Sequence, residues 1–144
     1  PYLNELYEAC KGKGAMLNGR SIHVSGKNDT QESVVSTGFP IDKDRNPDNN
    51  LDNLARILPM VRGVRRQGSA AFDLCCVAAG ILDGYWEFNL HLWDVCAGIL
   101  IVTEAGGTVR SFREDRNVSI VAGTPAIVEQ LYPRLSDKPG KICL

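Results

Sequence analysis

The run from Glu87 to Gly107, EFNLHLWDVCAGILIVTEAGG, constrains the fold more than any other part of this chain. Beyond Trp93-Asp94 the residues are apolar on nearly every face through Ala105, and Gly106-Gly107 stops the run. This pattern predicts a helix over Val95–Ala105, buried on both sides. Asp94 is the charged residue at its mouth. The free N–H groups and macrodipole of a helix N-terminus favour an ionised carboxylate there. Asp94 is thus placed to cap the helix, to bind a cation, or to do both. Glu87 lies on a short strand that leads into the run.

Upstream, residues 1–25 read as a hairpin. Its strands fall around Leu6–Cys10 and Ile22–Ser25, with turns at Gly12, Gly14 and Asn18-Gly19. Gly14 to Ser21 approaches the phosphate-cradling pattern G-x-x-x-x-G-K-[ST], but Arg20 replaces the lysine and a strand, not a helix, follows. Val34–Pro40 is expected to be a buried strand ending in a turn, and residues 41–50 an exposed polar loop. Leu51, Leu54, Ile57, Leu58 and Val61 share helical spacing, with Asp48 or Asn50 as candidate N-cap. Val64–Gln67 reads as a strand that turns at Gly68-Ser69 into a helix over Ala70–Ala79. That junction suits either an ordinary serine cap or the binding of an anion or a sugar hydroxyl. Arg65 and Arg66 are either a phosphate-binding pair or solvated surface charge. Strands over Thr108–Arg110 and Ser119–Ala122 precede a last helix from Thr124-Pro125 to Leu135. Strands alternating with helices, without an internal repeat or linker, predict one α/β domain with a layered mixed sheet between helices.

A length of 144 residues with 44% hydrophobic content is enough for a core. A net charge of −1 supplies no basic field, so nucleic acid is not an expected partner. No apolar run reaches membrane-spanning length, so no membrane is expected either. Five cysteines, two of them adjacent at Cys75-Cys76, do not read as a disulfide framework; a reducing, cytoplasmic setting is expected.

The pattern W-D-x-x-A-G-x-x-I-x-x-E-A-G-G, carried here by Trp93 to Gly107, resembles the C-terminal signature of the inositol monophosphatase family of metal-dependent phosphomonoesterases. K-G-x-G-A-x-x-N-G at Lys11–Gly19 and G-[ST]-A at Gly68-Ser69-Ala70 extend the likeness over nearly the whole chain. The resemblance implies Asp94 as a Mg2+ ligand, Glu87 as acceptor for a substrate hydroxyl, and Gly68, Ser69 and Ala70 as the substrate pocket wall. It implies a small phosphate ester, inositol monophosphate first, as substrate, and a homodimer. His91 has no visible catalytic partner, and Glu104 is expected to be structural.

The G-E-E and D-P-[LI]-D-G-T motifs that bring the family's other metal ligands are not found in these residues. Residues 1–144 therefore read as the C-terminal lobe, without the metal-binding half. The expectation is that the longer parent is the active phosphatase and that this lobe by itself is inactive. The alternative is a truncated lobe serving as an interaction module, dimerising through apolar faces.

Overall fold

Residues 2–135 are described by the structure, a computed structural model, and form four layers. The outermost is an antiparallel meander of β1 (Tyr7–Ala9), β2 (Ala15–Leu17) and β3 (Arg20–Ile22), in that order. The second layer is α2 (Ala70–Ala78) with α3 (Leu92–Glu104). The third is a five-stranded sheet of β4 (Val34–Thr37), β5 (Gly63–Arg65), β6 (Gly84–Leu90), β7 (Thr108–Ser111) and β8 (Val118–Gly123). Its order is β5-β4-β6-β8-β7. The fourth layer is α1 (Leu51–Ile57) with α4 (Pro125–Leu131). This is the mixed α/β sheet between helices that the sequence predicts.

Strand alternation divides the core. Trp86 and Phe88 point to the α1/α4 side, where they join Val35, Ile57, Val121 and Ile127. Tyr85 points to the α2/α3 side, among Leu74, Val77, Val95 and Val102. Alternation would send Leu90 to the side of Trp86, yet it joins Tyr85. A register shift between Glu87 and Leu90, with Asn89 at φ 63°, turns the end of β6 over. Helices α2 and α3 cross closely at Gly98, where an added Cβ would lie 2.7 Å from Leu74 Cβ. The signature glycine is a packing requirement.

The beginning of the chain is a three-stranded meander, not a two-stranded hairpin. Asn18 and Gly19, at φ 50° and 75°, form a two-residue turn between Leu17 and Arg20, so β3 pairs with β2 and not with β1. Gly14 to Ser21 is thus a β-hairpin, and no phosphate loop. Helix α1 ends at Ile57 and passes into a 3₁₀ turn over Leu58–Met60 containing Pro59, short of the expected Val61. Residues 41–50 are also less exposed than their polarity suggests. Asp48 accepts hydrogen bonds from Arg113 at 2.9 and 3.0 Å and from Arg116 at 2.9 Å. Asn50 is buried, donating to Thr37 Oγ1 and the Gly38 carbonyl while accepting from Trp86 Nε1.

Helix α3 starts at Leu92, a turn earlier than predicted, and is buried on one side only. Val95, Gly98, Ile101 and Val102 face the core, whereas Leu92, Trp93, Cys96, Ala97 and Leu100 are exposed. The helix is largely apolar, and it packs on α2, the sheet and the meander, but the side carrying Leu92, Trp93, Cys96, Ala97 and Leu100 is left uncovered by the described residues. Glu104 does what a structural residue does: its carboxylate accepts from the backbone N–H of Gly12 and Gly14 at 2.8 and 2.9 Å, tying the meander to α3. The tail from Ser136, where fraying is expected, lies outside the described residues.

Candidate functional site

Strand β4 pairs in parallel with both β5 and β6, so the carboxyl ends of all three open on one edge of the sheet. Each strand continues from that edge into a loop, the usual position for a ligand cleft in an open parallel sheet. Here the loops and the start of α3 enclose ≈ 480 Å³. The exit of β4 supplies Gly38, Phe39 and Ile41; the exit of β5 supplies Arg66, Gly68, Ser69, Ala70 and Ala71. Glu87 and Leu90 come from β6, and Trp93 and Asp94 from α3. All five residues singled out from the sequence, Gly68, Ser69, Ala70, Glu87 and Asp94, meet in this one cleft although 26 positions separate the first from the last.

Glu87 is the half-buried acid of the cleft. Tyr85, two residues earlier on the same face of β6, donates from its hydroxyl to Glu87 Oε2 at 2.6 Å. Burial pushes the Glu87 carboxyl above the ordinary carboxylate range, and the Tyr85 hydrogen bond and Arg66 pull it back. Its seat exists because residue 38 is glycine: an added Cβ there would overlap the Glu87 carboxylate.

The N-cap position of α3 is His91, and Asp94 is the third residue of the helix. Its Oδ2 accepts from the His91 N–H at 2.9 Å, closing the first turn of the helix. Among the described residues no donor is bonded to its other oxygen, which remains at the cleft. Asp94 therefore does cap its helix by reaching backwards, with one oxygen over for a second task. His91 is exposed and stacks on Trp93 at 4.3 Å.

The Gly68-Ser69 junction is a cap in its geometry: Ser69 Oγ accepts from Phe72 N at 3.4 Å. Behind it, buried Asp73 accepts from Gln67 Nε2 at 3.0 Å and so holds the residue before the turn. Burial raises the Asp73 carboxyl, with the Gln67 bond opposing. Of the two arginines, Arg66 lines the cleft, while Arg65 turns its guanidinium to the Val64 carbonyl at 3.1 Å. Burial pushes the Cys75 thiol up to about 11, which disfavours its thiolate.

Sequence reasoning passed over Gly38 and Tyr85, and gave Asn50 only the N-cap position of α1, which it occupies without a side-chain capping bond. Only Gly38 left a signal, as a glycine directly after a buried strand.

Magnesium needs several hard oxygen ligands in octahedral array. Asp94 and Glu87 each have one oxygen already bonded, to the His91 N–H and the Tyr85 hydroxyl, and no cluster of three or more acidic, histidine or cysteine side chains able to hold a metal exists among the described residues. These residues alone do not fit a complete magnesium centre. They can bind and orient: a carboxylate acceptor, an arginine, backbone N–H groups at the start of α2 and one free carboxylate oxygen converge on one polar ligand.

Residues 1–138 match the model of the inositol monophosphatase family. The chain is 42% identical over 140 residues to a putative Nus factor SuhB from Neisseria meningitidis, covering 94% of this chain and 54% of that protein. It is 46% identical over 112 residues to an inositol-1-monophosphatase from Synechocystis, covering 78% and 39% respectively. The inositol monophosphatase structure from Anabaena superposes with a TM-score of 0.86 at 37% identity, over 93% of this chain and 55% of that one. The chain spans about half the length of the curated relatives it matches.

Proposed function

Because this chain belongs to the inositol monophosphatase family, we propose that its cleft is the ligand-recognition side of a phosphomonoesterase site for a small polyol phosphate, inositol monophosphate first. The observation that carries this reading is the meeting of Glu87, Asp94 and the Gly68–Ala70 turn at the carboxyl ends of three parallel strands. Glu87 accepts from a ring hydroxyl, and the Gly68–Ala70 turn walls the ring. Arg66 complements the negative charge of the ester. Magnesium belongs to the proposal for the whole protein: Asp94 would be one ligand, and further carboxylates would have to come from outside residues 2–135. This lobe by itself is then expected to be inactive. The cysteines at 10, 75, 76 and 96 are free thiols, which supports a reducing compartment such as the cytoplasm.

The test is phosphate release from inositol 1-phosphate by the protein as its source cell makes it, with and without Mg2+. Asp94→Asn should lower kcat by about a thousandfold, the size expected for weakening metal-based stabilisation of the transition state. Removal of Mg2+ should abolish turnover of the unmodified protein. No release from any polyol or sugar phosphate at millimolar Mg2+ would sink the enzyme reading.

The exposed apolar side of α3 favours a second reading, an interaction module whose partner is a second copy. Two of the relatives above bear different kinds of name, one a putative Nus factor and one an inositol-1-monophosphatase.

A further inference from the structure

A carboxylate that is half-buried and faces a ligand needs something to fix its direction, because a glutamate side chain has three rotatable bonds and a single charge to satisfy. Glu87 has such a fixture. Tyr85 and Glu87 lie on one face of β6, and Tyr85 is fully buried against α2 and α3. The Tyr85 hydroxyl has no described partner besides Glu87 Oε2, at 2.6 Å. A hydrogen bond of this length to an ionised acceptor is among the stronger kinds. No described donor is bonded to Oε1. From β4, Gly38 closes over the carboxylate with no side chain to compete for its place. The other charged groups facing it are Arg66 after β5, Asp73 on α2 and Asp94 on α3. Arg66 stabilises the ionised form, and the two aspartates oppose it.

We propose that Tyr85 is a positioning residue for Glu87: its hydroxyl holds Oε2 at the floor of the cleft and so presents Oε1 as the acceptor for a ligand hydroxyl. The consequence for substrate rests on the phosphomonoesterase reading; the pairing itself does not. Tyr85 touches no ligand. It acts by keeping Glu87 oriented and by opposing the protonation that burial promotes, since a hydrogen bond donated to the charged form favours that form.

The test uses Tyr85→Phe, which deletes one oxygen from a buried ring and leaves its shape. Carbon-13 NMR of the glutamate carboxyls gives the Glu87 titration midpoint in this chain, with Glu87→Gln assigning the signal. The midpoint should rise by about one pH unit in Y85F, as expected for loss of one hydrogen bond to a charged group. In the protein as its source cell makes it, the acid limb of kcat/KM for inositol 1-phosphate should move up by the same interval. The change should lie in KM, with kcat at the plateau little altered. A Glu87 midpoint that stays in place while Y85F remains folded overturns the assignment. A midpoint that rises while the acid limb does not move leaves the pairing standing and overturns the placement of Glu87 against the substrate.

Discussion

Asp73 shows how a single buried carboxyl sets a pH dependence for the fold. It is 1% exposed, held by Gln67, and its carboxyl is raised chiefly by burial. An acid raised in the folded state binds its proton more tightly there than in the unfolded chain. Its contribution to stability is fully present below the ordinary aspartate value of about 3.9 and is lost as pH rises through the folded value. Glu87 adds to the same trend. Asp73→Asn keeps an acceptor for Gln67 and removes the ionisation. Urea unfolding at pH 5 and pH 8 should show the variant gaining on the unmodified chain at the higher pH. Equal differences at both values would mean that Asp73 does not titrate in this window. The residue scale also separates what spacing reveals from what it hides. Asp94 and the Gly68-Ser69-Ala70 turn were legible as local structure, because a helix start and a strand-to-helix junction are local events, while their place in a site came from the resemblance. Tyr85 was not, since any apolar strand position could hold a tyrosine, and only folding shows where its hydroxyl ends.

The loop between β4 and α1 illustrates the element scale. Its polar sequence reads as free surface, yet it lines the cleft through Phe39 and Ile41 and is tied down behind. Arg113, with its side chain 2% exposed, bridges Asp48 of this loop and Asp115 beyond β7, and lies over the Phe88 ring at 5.0 Å. A buried guanidinium is satisfied only with both partners in place. Arg113→Ala would leave Asp48 with Arg116 alone and should cost about 3 kcal/mol, the lower end for breaking a buried pair. Denaturant unfolding measures that cost, and hydrogen exchange should show residues 41–50 opening first. A loss below about 0.5 kcal/mol would match an exposed pair and contradict this role. Helix α3 carries the converse lesson. Its apolar composition predicted burial all round, but a composition cannot say how many neighbours surround a helix. The described layers supply α2, the sheet and the meander as neighbours and leave one side open.

For the whole molecule, that uncovered side is the main unpartnered feature. Leu92 is 63% exposed, Trp93 76% and Leu100 36%, with Cys96 and Ala97 between them. A continuous apolar stripe of this kind marks an interaction surface or promotes association. The chain is expected to self-associate and to bind a hydrophobic dye. Leu92→Lys together with Leu100→Lys should shift it towards monomer in light scattering and reduce the dye signal several-fold. A monomeric unmodified chain with no dye signal would remove the support for the interaction reading. None of the helices described is long and apolar enough to cross a membrane, so the stripe is not part of a helical span.

What the sequence determined by itself was local and ordered along the chain. It set the α/β alternation, the helix behind Asp94 and the turn at Gly68-Ser69. Each depends on residues a few positions apart, whose torsional preferences and periodicity are written in the chain. Only the tertiary structure decided that β4 lies between β5 and β6, which brings Gly38, Arg66, Glu87 and Asp94 to one edge. It alone set Asn50 beneath Gly38, Arg113 on Asp48 and Tyr85 under Glu87, and left α3 bare on one side. These follow from which strands become neighbours and which faces are covered. That choice is made by the packing of the whole core, in which residues far apart in sequence contribute together.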